Sequence, residues 1–115
     1  MRIAAGRNVA VFISGRGSNL KVLLEARDAG ELDANICLVL SNKESAGGLE
    51  HAAAHGVPSV VLSHRGFENR EEYETKLVAV LREHGVDVVV LAGFMRILTK
   101  HFLSAFPNRV LNIHP

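Results

Sequence analysis

Two polar side chains near the end of the sequence are spaced so that they could act together in catalysis. Asn112 and His114 alternate with apolar residues in the segment LNIHP, and in a β-strand this spacing places the amide and the imidazole on the same side. An amide N–H and a protonated imidazole can stabilise an oxyanion, and a histidine can transfer protons near neutral pH. We therefore predict that Asn112 and His114 address one reacting atom. Polar residues at a strand end also occur without any role, and the spacing alone does not decide between the two.

A glycine-rich turn in the segment ISGRGSNL could bind a phosphate group. Gly15 and Gly17 permit a tight turn from a strand into a helix. Ser18 and Asn19 then open that helix, where backbone N–H groups and the positive end of the helix dipole favour an anion. The alternative is a plain turn in which Ser18 or Asn19 caps the helix.

The same turn departs from the fingerprints of dinucleotide sites. Leu20 stands where the third glycine of the dinucleotide motif belongs, and the second strand ends in Ser41 and Asn42 instead of an acidic residue. The turn also lacks the Gly-Lys-Ser/Thr sequence of a P-loop. These departures disfavour an NAD-dependent oxidoreductase.

Two further segments offer groups for a second ligand. The segment LAGFMRIL is predicted to expose four apolar residues around Arg96: Phe94, Met95, Ile97 and Leu98. Backbone polar groups among apolar side chains could hold a flat heterocycle, unless the loop only packs on the core. Arg70 lies at a helix start rich in glutamate, where a cation is unfavourable unless it meets an anion or pairs with those glutamates.

The histidines outside LNIHP give little indication of a metal site. His51 and His55 have the i, i+4 spacing with which two imidazoles can share a zinc ion. However, Ala52 stands where the general base of the zincin motif belongs, and no third ligand is obvious. We therefore expect no metal and a solvated or half-buried helix face. Three other histidines are expected at the surface: His64, His84 and His101.

The elements that position these groups read as an alternation of strands and helices. Five nearly continuous apolar runs indicate strands buried on both faces, at 9–13, 36–40, 59–62, 87–92 and 110–113. Such runs predict an α/β fold, a Rossmann-like doubly wound parallel sheet with helices on both faces. The polar segments all follow strands, so they should meet at the carboxyl edge of that sheet.

Two of the crossover helices can be placed from their periodicity. The first has its apolar face at Leu20, Leu23 and Leu24. The second is predicted from Arg70 to His84 with Asn69 as its cap. One face should hold Tyr73, Leu77, Val80, Leu81 and His84, with glutamate and lysine elsewhere. A glycine follows each helix, Gly30 and Gly85, and can end it in a left-handed turn.

Composition and charge exclude several classes of protein. The 115 residues fit a single domain, which we assign to residues 1–115. A net charge of +1 without long charged blocks argues against a nucleic-acid partner. No apolar run approaches the ~20 residues that cross a bilayer, so no membrane partner is expected. Cys37, the only cysteine, is interpreted as core filler in a cytoplasmic protein.

Taken together, four segments resemble the glycinamide ribonucleotide formyltransferase family of purine biosynthesis: ISGRGSNL, LVLSNK, LAGFMRIL and LNIHP. They occur in the family order, and the resemblance covers residues 8–115. Related folate enzymes share the Asn-Ile-His motif, whereas the phosphate loop and GFMRIL are similar to the ribonucleotide enzyme. The resemblance implies the formyltransferase N-terminal fold. It also implies transfer of a formyl group from the co-substrate 10-formyltetrahydrofolate to the amine of glycinamide ribonucleotide, without a metal.

The resemblance also implies roles for individual residues. Gly17, Ser18 and Asn19 would hold the ribose phosphate of the substrate. The folate site would be lined by Arg70, Met95, Arg96, Ile97, Leu98 and Asn112. Asn112 and His114 would be catalytic, with Asn112 donating to the oxyanion and His114 acting as a general acid.

Family members continue beyond the fifth strand with a Ser-Leu-Leu-Pro loop and an aspartate that keeps the histidine protonated. We therefore expect residues 1–115 to be an amino-terminal half, truncated after the fifth strand, with little or no activity alone. The alternative is a non-catalytic phosphate- or nucleotide-binding fragment that self-associates or complements a missing carboxyl-terminal half.

Overall fold

The structure is a computed structural model that describes residues 6–113. The strands are β1 (Asn8–Ile13), β2 (Asn35–Ser41), β3 (Ser59–Val61), β4 (Val88–Ala92) and β5 (Val110–Ile113). The helices are α1 (Ser18–Asp28), α2 (Gly48–Ala54), α3 (Arg70–Glu83) and α4 (Lys100–Leu103). All strand pairs are parallel, and the sheet order is β3-β2-β1-β4-β5. The predicted doubly wound parallel sheet is confirmed, with each predicted strand within about two residues of its observed bounds.

Helices cover both faces of the sheet and divide the core in two. In β1, Val9, Val11 and Ile13 face α1 and α2 in the first core. Ala10 and Phe12 face α3 and α4 in the second core. This alternation follows from the two-residue period of a strand, and it requires a strand that is apolar on both sides.

The two helices predicted from periodicity are confirmed, apart from one residue. α1 buries Leu20, Leu23 and Leu24, and α3 buries the four apolar residues predicted, Tyr73, Leu77, Val80 and Leu81. His84 does not share that buried face: it lies just beyond the helix end and is exposed, as expected of a surface histidine, with Nδ1 donating to the carbonyl of Val80 at 2.9 Å. The longest helix has 14 residues, and none within 6–113 is long and apolar enough to cross a membrane.

Cys37 is the extra residue of a β-bulge. The β1–β2 register shifts there, because Val9 pairs with Ile36 and Ala10 pairs with Leu38. The side chain is half-buried against the second core, and burial raises the pKa of its thiol. Cys37 therefore packs as the predicted filler, with a thiol that is less readily ionised than a free one.

An ion cluster joins the carboxyl ends of α1 and α2. Asp28 accepts from Arg27 at 2.8 Å and from Nδ1 of His55 at 2.5 Å, while Arg27 also donates to the carbonyl of His55 at 3.1 Å. These bonds, first that of Arg27 and then that of His55, lower the pKa of Asp28 below its ordinary value of 3.8. The carboxylate therefore favours the folded state when it is ionised.

The cluster predicts a loss of stability in acid. Because the pKa of Asp28 is lower in the folded chain than in the unfolded chain, its contribution is present above about pH 4 and is lost as pH falls through the folded pKa. Urea unfolding of the wild type and of Asp28→Asn measures this. We expect the difference between their midpoints to shrink between about pH 5 and pH 2. A difference that stays constant over this range would contradict the assignment.

Candidate functional site

The polar loops that follow three strands meet around one cavity at the carboxyl edge of the sheet. The cavity measures about 290 Å³. Its walls include the turn 14–19 after β1, Lys43 after β2 and Met95 after β4. Ligands of open α/β sheets bind at this edge, where neighbouring strands lead to opposite faces. The cavity is therefore the first candidate for the functional site.

The turn before α1 leaves the start of the helix without a side-chain cap. α1 begins at Ser18, its N-cap is Gly17 at φ 73°, and no side chain bonds to the helix start. The alternative in which Ser18 or Asn19 caps the helix is therefore wrong. Uncapped N–H groups and the helix dipole together suit an anion that enters the cavity.

A close approach of two backbones requires glycine at position 17. A Cβ atom on Gly17 would lie 2.6 Å from Cα of Gly48, and a φ of 73° already disfavours other residues. The N–H of Gly48, which begins α2, also donates to the carbonyl of Gly15 at 3.0 Å. The start of α2 thus fixes the shape of the turn.

Two cationic residues without a role in the sequence-based prediction, Arg16 and Lys43, line the same cavity. The backbone of Lys43 is held by Ser41, whose Oγ accepts from the Lys43 N–H at 3.0 Å and donates to the Lys43 carbonyl at 2.7 Å. The signal in the sequence was a lysine directly after the second strand, in the segment LVLSNK. Two positive charges at this edge favour an anionic ligand.

The loop after β4, named the 93–99 loop here, carries most of the predicted folate residues. Met95 and Ile97 are 73% and 72% exposed, which leaves both side chains able to cover a ligand. Phe94 and Leu98 instead pack against the second core, so the prediction that they are exposed is wrong. The centroids of the Phe94 ring and of the Phe12 ring in β1 lie 5.2 Å apart in an edge-to-face contact, which holds Phe94 against the core.

The charge of Arg96, in the same loop, acts on His64 after β3 and on Tyr73 in α3. Burial lowers the pKa of His64, and the charges of Arg96 and then Arg65 lower it further. His64 is half-buried, and its buried Nδ1 has no hydrogen-bond partner within residues 6–113. The prediction of a surface histidine is wrong at this position, because the ring packs edge-on against Tyr73.

Tyr73 provides a spectroscopic test of this packing. Burial raises the pKa of Tyr73 to about 12, against a smaller lowering by Arg96, and its Oη donates to the carbonyl of Leu62 at 2.7 Å. The chain has one tyrosine and no tryptophan, so an ultraviolet titration reports on Tyr73 alone. We expect a midpoint near pH 12 in the folded chain and about 10 in urea. A folded midpoint near that of the urea sample would contradict the burial.

Arg70 begins α3 with an exposed side chain. Asn69 caps the helix as predicted, its Oδ1 accepting from the Glu72 N–H at 2.9 Å. Neither of the two ion pairs found in the described part of the chain involves Arg70. The described residues therefore show no salt bridge between Arg70 and the glutamates of its own helix, which was the alternative. Its guanidinium faces solvent, where it can meet an anion.

Asn112 lies on β5, next to β4, with its side chain exposed. Val110, two residues before it, packs on the second core, whereas Ile113 packs on the first. Strand alternation thus places Asn112 on the face that α3 and α4 cover. His114 lies outside the described residues, so its predicted pairing with Asn112 stays a prediction.

His51 lies on α2 and His55 directly follows it, and among the described residues only the second bonds to another element. His55 donates to Asp28 in the ion cluster, and His51 is half-buried on the helix. Within residues 6–113, no group of three or more His, Cys, Asp or Glu side chains could hold a metal ion.

The structure brings only part of the predicted site into one cavity. Gly17, Ser18 and Asn19 share it with Met95. The other described folate candidates do not line it: Arg70, Arg96, Ile97, Leu98 and Asn112. Arg96, Ile97 and Leu98 lie in the 93–99 loop, Arg70 begins α3, and Asn112 lies on β5.

Known proteins share both the sequence and this architecture. Residues 7–115 match the formyl transferase family. The chain is 43% identical over 108 residues to phosphoribosylglycinamide formyltransferase of Escherichia coli K12, covering 94% of this chain and 51% of that protein. It is 48% identical over 111 residues to the trifunctional purine biosynthetic protein adenosine-3 of Drosophila pseudoobscura, covering 95% of this chain and 8% of that protein.

A solved structure agrees with the fold. Glycinamide ribonucleotide transformylase 1 from Symbiobacterium toebii superposes with a TM-score of 0.92 at 36% identity, covering 98% of this chain and 53% of that chain. The predicted fold type is thereby confirmed. The chain spans about half the length of these single-enzyme relatives. Sequence and structure together show that the chain belongs to the formyl transferase family.

Proposed function

We propose that the chain supplies binding and catalytic groups for a phosphoribosylglycinamide formyltransferase of purine biosynthesis. The reaction moves a formyl group from 10-formyltetrahydrofolate to the amine of glycinamide ribonucleotide. One observation carries the proposal beyond family membership: a single cavity joins the uncapped start of α1, two cationic residues and the loop that carries Met95. That combination suits a ligand with a phosphate at one end and a folate beside it.

The phosphate of glycinamide ribonucleotide would bind at the start of α1. The backbone N–H groups of Gly17, Ser18 and Asn19 would donate to its oxygens, because they lie at the positive end of the helix and lack a side-chain cap. Lys43 and Arg16 would add positive charge from the cavity wall.

The folate would lie along the 93–99 loop. Met95 and Ile97 are exposed apolar side chains that can cover the flat ring system, while Leu98 packs on the core behind them. Folates carry carboxylates at the end opposite the ring. Arg96 in the 93–99 loop and exposed Arg70 at the start of α3 are cations that can meet them. These two arginines would bind the carboxylates.

Catalysis would take place at the end of β5. The amine nitrogen of the ribonucleotide attacks the formyl carbon, and the carbonyl oxygen becomes an oxyanion. Asn112 donates an amide N–H to that oxyanion, and protonated His114 acts as its second donor. The C–N10 bond then breaks, N10 receives a proton from His114, directly or through water, and the attacking nitrogen loses one.

The phosphate assignment predicts a selective effect of Lys43. We expect Lys43→Ala to weaken binding of glycinamide ribonucleotide at least about 10-fold, since a hydrogen bond to a charged group contributes about 1.5–3 kcal/mol. Isothermal titration calorimetry on the chain measures the affinity. Lys76→Ala, on the exposed surface of α3, removes the same charge away from the site and should leave the affinity within about 2-fold. Equal losses in both variants would contradict the placement.

A second titration, with 5-formyltetrahydrofolate, separates the enzyme from a non-catalytic phosphate binder. The proposal expects both ligands to bind, whereas a phosphate-binding module would bind only the ribonucleotide. We further propose that residues 1–115, assayed alone, give little formyl transfer compared with the E. coli relative. Turnover close to that of the longer enzyme would contradict this expectation.

A further inference from the structure

We infer that Ser14 and Asn42 are positioning residues that hold the 93–99 loop at a fixed place beside the start of α1. The inference rests on the proposed function, because the two loops are the proposed folate and phosphate parts of one site. Neither residue needs to touch a ligand for this role. Ser14 acts on the loop directly, and Asn42 acts through Ser14.

One hydroxyl group connects the ends of three strands. The Oγ of Ser14, directly after β1, donates to Oδ1 of Asn42, directly after β2, at 2.6 Å. The same Oγ accepts from the backbone N–H of Met95, three residues after β4, at 2.7 Å. Ser14 also precedes Gly15, the first glycine of the phosphate turn. Ser14 therefore lies between the phosphate turn and the 93–99 loop, and its hydroxyl bonds to the loop.

The directions of the two hydrogen bonds explain how Asn42 acts through Ser14. Asn42 has an oxygen facing Ser14, so the Ser14 hydrogen points towards Asn42 and a lone pair of Oγ is left for the Met95 N–H. Ser14 and Asn42 are only 4% and 5% exposed, so water does not readily replace either partner. Buried donors and acceptors are costly to leave unpaired, so this pattern of two hydrogen bonds is favoured over other positions of the loop.

The polar anchors add to the packing of Phe94 and Leu98 on the second core, because the other apolar side chains of the 93–99 loop do not hold it. Met95 and Ile97 are largely exposed and pack little. At the far end, the N–H and Oγ1 of Thr99 both donate to buried Glu74, at 2.7 and 2.6 Å. The loop is thus fastened at both ends by buried polar groups, and the Ser14 anchor is the one beside the phosphate turn.

The test compares Ser14→Ala with Ser14→Thr, which keeps a hydroxyl. The first readout is the rate of hydrogen exchange at the Met95 amide, measured by NMR. The amides of β1 and β4 serve as a check that the sheet is intact. We expect exchange at Met95 to rise at least about 10-fold in Ser14→Ala and to recover largely in Ser14→Thr. Ser63→Ala is the matched control, because Ser63 Oγ also accepts from a backbone N–H, that of Arg65, and should leave Met95 unchanged.

The second readout is a pair of affinities, for 5-formyltetrahydrofolate and for glycinamide ribonucleotide. We expect Ser14→Ala to weaken the folate about 10-fold, equivalent to about 1.4 kcal/mol, and the ribonucleotide by less than about 3-fold. A merely structural role would move both affinities together. Asn42→Ala should reproduce the Ser14→Ala pattern, because it removes the acceptor that orients the hydroxyl.

The outcomes separate the inference from the proposed function. Unchanged exchange at Met95 in Ser14→Ala, with the sheet intact, overturns the inference whatever the ligands do. Faster exchange with equal losses for both ligands overturns it as well. If the wild type binds neither ligand, the proposed function fails for this chain, and the exchange at Met95 still decides whether Ser14 holds the loop.

Discussion

Replacing Gly17 with alanine is expected to lower the free energy of unfolding by about 2–4 kcal/mol and to abolish binding of a phosphate ligand. Two effects add at this position. A left-handed φ of 73° is unfavourable for alanine, and the new Cβ would lie 2.6 Å from Cα of Gly48. A backbone atom cannot rotate away as a side chain can, so the turn or the start of α2 must move. Chemical denaturation and titration with glycinamide ribonucleotide measure the two losses.

Two other glycines separate these effects. Gly30 has a similar φ of 75° and nothing within 4 Å of an added Cβ, so Gly30→Ala should cost only about 1–2 kcal/mol. Gly15 lies in the same turn with open space around an added Cβ. Gly15→Ala should leave stability within about 0.5 kcal/mol. A Gly17→Ala variant as stable as Gly30→Ala would contradict the close approach to α2.

Glu74→Ala is expected to cost about 3 kcal/mol of stability. The Glu74 side chain is 1% exposed and accepts three hydrogen bonds, from the N–H and Oγ1 of Thr99 and from the N–H of Phe102 at 3.0 Å. Removing the carboxylate leaves these donors buried without an acceptor. Because Thr99 ends the 93–99 loop, the same change should weaken binding of 5-formyltetrahydrofolate.

Matched variants on the same helix make this prediction specific. Glu74→Gln keeps one acceptor oxygen and should lose less stability than Glu74→Ala. Glu71→Ala removes an exposed carboxylate near the start of α3 and should cost less than about 1 kcal/mol. Urea denaturation compares all three. If Glu74→Ala and Glu71→Ala unfold at the same urea concentration, Glu74 does not anchor the loop.

The strands and the glycine turn before α1 could be predicted because their signals are local. A parallel strand that is buried on both faces must be apolar throughout, as in the run from Val9 to Ile13. The turn from Gly15 to Asn19 carries its own glycines and helix start. The family resemblance added roles to residues that these patterns had already singled out.

Glu74 could not be predicted because its partners are distant in sequence. It stands in a helix start rich in glutamate, where the sequence pattern assigns all these carboxylates to the helix dipole. Only the packing of α4 against α3 turns Glu74 inward, towards Thr99 and Phe102, which lie 25 and 28 residues away. Local charge patterns carry no information about such a contact.

The same limit applies to the loop that follows β4. Phe94 and Leu98 belong to a segment that mixes apolar residues with an arginine and a glycine. The points at which the loop is held decide which of its side chains face the core. Ser14 and Asn42 supply that fastening from two other strand ends. Lys43 was likewise overlooked because the position of its loop beside the turn 14–19 depends on the order of the strands.

An NMR titration of the ¹⁵N-labelled chain with glycinamide ribonucleotide tests the central claim most directly. The claim is that the start of α1 binds the phosphate of the substrate. We predict that the largest chemical-shift changes occur at the amides of Gly17, Ser18, Asn19 and Lys43, and that inorganic phosphate alone shifts the same amides and competes with the ribonucleotide. Changes centred on another part of the chain, or saturating addition of the ribonucleotide without any change, would contradict it.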